Sequence, residues 1–171
     1  MLKINDILRA SDVMRWSTVR TIKQQSVAEH TFNVVMIARA ICREYKMFDG
    51  LVIKMALEHD LGEIMTGDII SPAKMKMKEC GFDVKTIDPP GLNSNEGDLV
   101  LVEMQIVKAA DLMESMLFLR ENAVGRYAIE EIVVLEGYVY DHLNDLDDRL
   151  SESCYEVLAQ MFEGEYQRWI K

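Results

Sequence analysis

Apolar residues recur at three- and four-residue intervals through most of this chain, the spacing of helices that bury one face. A short amphipathic helix is predicted from Ile4 to Val13. RWSTVRTIKQQ, Arg15 to Gln25, lacks a sustained helical period and reads as an irregular connector or a short extended stretch. Ser26 then opens a strong helix through Tyr45, with Glu29 three residues on completing a capping box. Val27, Phe32, Val35, Met36, Ala40 and Ile41 form its expected apolar stripe. A third helix is predicted from Gly50 to Ile64, ended by Gly67 and Pro72, and one or two helical turns over residues 73–80. The stretch from Gly81 to Asp98 carries two prolines and three glycines and reads as a loop. Further helices are expected from Leu99 to Glu121, Arg126 to Leu143 and Leu150 to Trp169, with the acidic turn NDLDDR before the last. No repeat and no strand pattern stands out. The expected architecture is all-α: a single compact bundle of about six helices, residues 1–171 forming one domain.

Composition narrows the class. A chain of 171 residues, 49% hydrophobic and 28% charged, can build a core of its own. No apolar run approaches the ~18 residues of a membrane span, and the polar start MLKINDILRASD lacks the apolar segment of a secretory signal. Cys42, Cys80 and Cys154 are an odd set without CxxC spacing, expected as reduced thiols in a cytoplasmic protein. The net charge of −10 disfavours a nucleic-acid polymer as partner. It leaves room for a small phosphorylated substrate, because positive charge concentrates at Arg15, Arg20 and Lys23 and again at Lys74, Lys76 and Lys78.

Titratable residues inside the apolar segments supply the chemistry. MALEHDLGEIMTGD places His59 beside Asp60, Glu63 one turn after His59, and Asp68 past a glycine. Such groups sit against a core only when they are paired or bind a metal. The adjacent His59–Asp60 pair can share an ion only at one edge of its helix, so other helices must complete the set. His30 can offer an imidazole, and Asp111, among apolar residues and behind Ala109 and Ala110, a carboxylate. Imidazole with carboxylate suits one divalent transition metal ion, without separating Co, Mn, Zn, Fe and Ni; a second ion can accompany substrate phosphates. Glu63, on the face of His59, is placed to move a proton of a nearby water. The third histidine, His142, lies near the acidic turn and is expected to be exposed.

The order H…HD…D resembles the HD-domain metal-dependent phosphohydrolases. RWSTVRTIKQQSVAEH, HDLGEIMTGDIISPAK and IVKAADLMESMLFLRE resemble, in order, three motifs of the small 5′-deoxynucleotidases in that family, and the compact phage dNTP triphosphohydrolases related to them are similar too. The resemblance implies an all-α HD fold with His30, His59, Asp60 and Asp111 as metal ligands. It implies Glu63 and Asp68 as catalytic residues, Arg15 and Lys74 as phosphate contacts, and Trp16 as a wall against the deoxyribose that rejects a 2′-hydroxyl. The short chain and the set Arg20, Lys23, Lys74, Lys76 and Lys78, able to hold a longer phosphate tail, favour a dATP-type triphosphohydrolase releasing deoxynucleoside and triphosphate. The alternative is a 5′-deoxynucleotidase releasing orthophosphate. A cyclic-nucleotide or alarmone hydrolase fits the Arg-Trp motif poorly, and neither a non-catalytic nucleotide-binding protein nor a structural oligomer packed by its 12 methionines accounts for the intact titratable set. A homo-oligomer, a dimer or a larger ring such as a hexamer, is expected from the resemblance, in the cytoplasm (that of the host, for a phage protein).

Overall fold

The structure, a computed structural model, describes residues 3–81 and 101–162, with only the backbone at 71–72. The described residues are helical apart from turns and two isolated antiparallel bridges. Helix α1 (Ile4–Ile7) runs into a 3-10 turn (Leu8–Ser11); then come α2 (Val27–Tyr45), α3 (Gly50–Glu58), α4 (Glu63–Thr66), α5 (Ser71–Glu79), α6 (Leu101–Asn122), α7 (Arg126–Asn144) and α8 (Asp148–Met161). Six of these have nine residues or more: five stand where helices were anticipated, and α5 fills the stretch expected to make one or two turns, while the helix expected from Ile4 to Val13 is only α1 and the 3-10 turn. The stretch 82–98 and the last helix beyond 162 lie outside the described residues.

Helix α6 is the centre of the bundle. Ile106, Val107, Ala109, Ala110, Met113, Met116, Phe118 and Leu119 are buried nearly all round it, which a helix tolerates only when other helices cover it on every side. Helices α2, α3 and α7 supply that cover, and α8 packs along α2. Ala109 and Ala110, both fully buried, mark the side where bulk is smallest.

Ser26 caps α2 as anticipated. Its hydroxyl accepts from the Glu29 N–H at 3.2 Å, and Glu29 Oε2 accepts from the Ser26 N–H at 2.9 Å. The buried stripe of α2 differs from the expected one: it is Val27, His30, Val34, Ala38 and Ile41, while Phe32 and Met36 are 64% and 46% exposed. A pattern read from apolar residues could not count His30 as core; in the fold it is fully buried.

The expected continuous helix from Gly50 to Ile64 is broken. α3 stops at Glu58, and residues 59–62 form a tight turn closed by i to i+3 bonds, Leu61 N–H to Glu58 at 3.2 Å and Glu63 N–H to Asp60 at 2.9 Å. The Ala56 carbonyl, which an unbroken helix would give to the Asp60 N–H, accepts from His59 Nδ1 at 2.7 Å. The segment leaves α4 through Gly67, whose φ of 74° is a region glycine enters without steric cost.

The connector before α2 is extended at its neck. Arg15 N–H donates to the Gln25 carbonyl and Val27 N–H to the Val13 carbonyl, both at 2.8 Å. Its tip is pinned to the far end of α6 by Ile22 N–H to Asn122 (2.8 Å) and Val124 N–H to Arg20 (2.9 Å). No helix among the described residues is long and apolar enough to cross a membrane.

Candidate metal centre and its surroundings

Four elements meet at one point: the first turn of α2 with His30, the 59–62 turn with His59 and Asp60, the middle of α6 with Asp111, and the connector neck with Arg15. His30 Nε2 and His59 Nε2 lie 3.4 Å apart. Asp60 Oδ2 is 3.4 Å from the first and 3.2 Å from the second, and Asp111 Oδ1 is 3.3 Å from His30 Nε2.

Hydrogen bonding fixes which ring atoms face inward. A carbonyl can only accept, so His59 Nδ1 carries the proton given to Ala56. His30 Nδ1 lies 2.5 Å from Glu114 Oε2, a carboxylate 2% exposed. Both Nε2 atoms are thereby aimed at the carboxylates, the arrangement by which second partners orient histidine ligands. An ion about 2.1 Å from each ligand atom holds neighbouring ligands about 3.0–3.4 Å apart, the spacing seen among these atoms. His30, His59 and Asp60 form the one group of three or more potential metal ligands among the described residues, and Asp111 adds a carboxylate on the remaining side of His30.

The electrostatics call for positive charge there. Burial alone disfavours a charged His30 ring, yet hydrogen bonds to Asp111, Asp60 and Glu114 overcome it and push its pKa up to about 10. Burial likewise opposes ionisation of Asp60 and Asp111. For Asp60 the bonds to His30 and His59, with Arg15 nearby, outweigh it; for Asp111 those to His30 and Lys108 do, and both carboxyls stand well below the usual range. A proton on His30 fills the role a divalent cation fills among the same carboxylates, so the donor set fits such an ion.

Glu63, 2% exposed, is the opposite case. Burial, then the charges of Asp60 and Asp68, raise its pKa against the pull of Arg15 and Lys74. Lys74 Nζ lies 3.1 Å from Oε1, while buried Oε2 has no partner among the described residues. Arg15 Nη1 donates to Asp60 Oδ2 at 2.9 Å and Nη2 to Ser115 Oγ at 3.3 Å, and its buried Nε is likewise unpartnered. Polar capacity is thus left over on both sides of the cage.

Trp16 follows Arg15 with φ of 62°, rare for a bulky residue. Asp68 accepts from its peptide N–H at 3.0 Å, Gln25 from its indole N–H at 3.1 Å, and its ring stacks on Phe118, 6.2 Å away at 6°. Asp68 therefore both holds the backbone of Trp16 and adds negative charge beside Glu63.

Arg20 is not brought to this point. Its backbone is fixed beyond Asn122, 11 residues and so roughly 16 Å along α6 from Asp111, and its side chain is exposed. Lys23 pairs with Glu29 and Lys76 with Glu79 on the surface, and Lys78 is exposed on α5. Of the lysines expected to hold a long phosphate tail, Lys74 is the one that the structure joins to the cage residues, through Glu63. His142 is half-buried rather than exposed, with Nε2 3.3 Å from the Gln105 carbonyl.

Residues that the sequence reading did not select complete the site. Glu114 takes hydrogen bonds from Gln25 (2.6 Å) and Asn33 (3.0 Å) besides His30, and Ser115 holds Arg15. One signal was available: Asp111, Glu114 and Ser115 stand at i, i+3 and i+4 within an apolar helix, hence on one buried face. Nothing local marks Gln25.

Comparison with known proteins agrees with this geometry. The HD domain family matches residues 7–82. The chain is similar to the dATP triphosphohydrolase of Salmonella phage PMBT28, 33% identical over 82% of this chain and 77% of that one. It is similar over less of its length to the 5′-deoxynucleotidase VV1113 of Vibrio vulnificus (strain YJ016), 30% identical over 48% of this chain and 45% of that one. Among solved structures it resembles the cyanophage S-2L HD phosphohydrolase DatZ, bound to dA and one catalytic Zn2+ ion, with a TM-score of 0.77, 25% identity and coverage of 95% and 98%. The cluster of His30, His59 and Asp60, with Asp111 beside His30, on a helical bundle, and the likeness to the phage dATP triphosphohydrolase over 82% of this chain and to DatZ over 95%, place the chain in the family of HD-domain phosphohydrolases.

Proposed function

We propose that this chain is a metal-dependent triphosphohydrolase of 2′-deoxynucleoside triphosphates, of the dATP type, releasing deoxynucleoside and triphosphate. The observation that carries the reading is the convergence of His30 Nε2, His59 Nε2 and Asp60 Oδ2 within 3.4 Å, with Asp111 at 3.3 Å from His30. The triphosphate preference is supported by the phage relatives, whose likeness spans far more of the chain than that of the 5′-deoxynucleotidases.

His30, His59, Asp60 and Asp111 would hold one divalent transition metal ion, zinc being the ion named for the structural relative. When bound, such an ion polarises phosphoryl oxygen and makes water a better nucleophile. The remaining steps belong to side chains. Arg15 meets a phosphate oxygen with donors not already used by Asp60 and Ser115. Water attacks the phosphorus bearing the 5′ oxygen, Glu63 accepts its proton through Oε2, the bond from phosphorus to the 5′ oxygen breaks, and the proton taken up by Glu63 is returned to that oxygen, directly or through solvent, to give the deoxynucleoside. Asp68 keeps Glu63 basic by its charge and holds Trp16, which walls the sugar. Lys74 steadies Glu63 and can reach phosphate. The enzyme would act as a homo-oligomer in the host cytoplasm, on a small substrate and not on a nucleic-acid polymer.

Product analysis tests this. With a divalent ion, incubation with dNTPs, dATP above all, should give tripolyphosphate and deoxynucleoside, abolished in His59→Ala, while dNMPs should release no phosphate. Orthophosphate from dNMP instead would establish the 5′-deoxynucleotidase reaction. No metal-dependent release from any deoxynucleotide would sink the enzymatic reading.

A further inference from the structure

We infer that Gln25 is a positioning residue for the cage, acting on His30 through Glu114 while its own amide is held by Trp16. This rests on the reading of His30 as a metal ligand given above.

The bonds form a directed chain. Trp16 Nε1–H donates to Gln25 Oε1 at 3.1 Å, Gln25 Nε2–H donates to Glu114 Oε1 at 2.6 Å, and Glu114 Oε2 sits 2.5 Å from His30 Nδ1. An indole N–H only donates and an ionised carboxylate only accepts, so the Gln25 amide fits one way round. Asn33 takes a second place on Glu114 Oε1, leaving Oε2 to His30. Gln25, Glu114 and His30 are each at most 2% exposed, so water does not readily replace a lost partner.

The chain closes into a ring. The Arg15 N–H donates to the Gln25 carbonyl at 2.8 Å, and the Arg15 guanidinium holds Asp60, which lies 3.4 Å from His30. The two residues at the neck of the connector therefore grip two different ligands, Arg15 directly and Gln25 through Glu114. Trp16, between them, has a left-handed backbone that persists only where its surroundings over-determine it. One buried amide thus serves both the aim of His30 and the fixing of Trp16.

The test replaces Gln25 by Leu, of similar volume and without hydrogen bonds, in a Trp169→Phe background that leaves Trp16 as the sole tryptophan. Zinc affinity is measured by competition with a chromogenic chelator, and Trp16 by emission and anisotropy. Gln25→Leu should bind zinc about 10–100-fold more weakly, with more mobile Trp16 emission. At saturating zinc, kcat should recover more than KM. Adding Glu114→Gln should cost less than the product of the two single effects, because both act through one carboxylate. Should Gln25→Leu fail to fold, Trp16→Phe, which keeps an aromatic ring on Phe118 but loses the indole N–H and part of the ring, should still weaken zinc binding about threefold. Zinc affinity within twofold of wild type in a folded Gln25 variant, or in Trp16→Phe if no Gln25 variant folds, overturns the inference. A wild-type chain that binds zinc but hydrolyses no deoxynucleotide overturns the functional reading alone; one that binds no divalent ion overturns both.

Discussion

Glu63→Gln should move stability and activity in opposite directions. Glu63 is 2% exposed, its Oε2 has no partner among the described residues, Arg15 is already committed to Asp60, and the cation bonded to it, Lys74, has a side chain 40% exposed and so screened by water. An exposed lysine offsets about 1 kcal/mol at most, whereas taking a carboxylate out of water costs several. The ionised form is therefore under-compensated, which is why burial, Asp60 and Asp68 raise its pKa. A carboxyl with its folded pKa above its unfolded value binds a proton more tightly when folded. Its contribution is fully present below the unfolded value, about 4.3, and is lost as pH climbs through the folded one, by at most about 1.4 kcal/mol per pH unit for one proton. The Gln variant lacks that loss. In chelator-treated protein, urea unfolding from pH 4 to 8 should show the variant gaining on wild type as pH rises, to about 1–3 kcal/mol at pH 8. Asp60 and Asp111 are common to both proteins and largely cancel in the difference. Activity should fall the other way, kcat dropping about 100–10,000-fold with loss of a proton acceptor. A stability difference that shrinks with rising pH, or a variant keeping more than a tenth of wild-type kcat, would refute the reasoning.

Ser26→Ala removes the acceptor of the α2 cap and should cost about 1 kcal/mol, read as a lower midpoint in urea with unchanged slope. Arg15→Lys cannot reach Asp60 and Ser115 together, so kcat/KM for the deoxynucleotide should fall about 10–100-fold, most of it in KM, in steady-state assays. Arg20→Ala, far along α6 from the cage, should change kcat/KM less than threefold; a tenfold loss would place Arg20 back in the site. Zinc at about 100 times its Kd should stabilise the chain against urea by about 2.7 kcal/mol, and Asp111→Asn should reduce that gain.

The site was legible where chemistry is unusual for its position. His59, Asp60 and Asp111 stand out because charged groups rarely interrupt apolar helices, and His30 follows because the pair needs completing. Glu114 and Gln25 were not legible for related reasons. A glutamate in a long helix is ordinarily a solvated residue, and a glutamine in an irregular connector carries no spacing to interpret; only their burial beside His30 gives them a part. Arg20 lies apart for the converse reason: it is close in sequence to Arg15, but the connector extends from its neck and carries the Arg20 backbone to the end of α6.

Local rules sufficed for the sequence to determine the helices, the α2 cap, and the residue types able to hold an ion. Capping and helical periodicity act over a few residues, and so they survive reading one residue at a time. The break after Glu58, the burial of His30 in place of Phe32 and Met36, and the closing of Arg15, Gln25 and Glu114 around the cage were decided only by tertiary structure. Each depends on a partner distant along the chain, Gln25 and Glu114 being 89 residues apart, and a buried polar group is stable only where the whole fold delivers that partner.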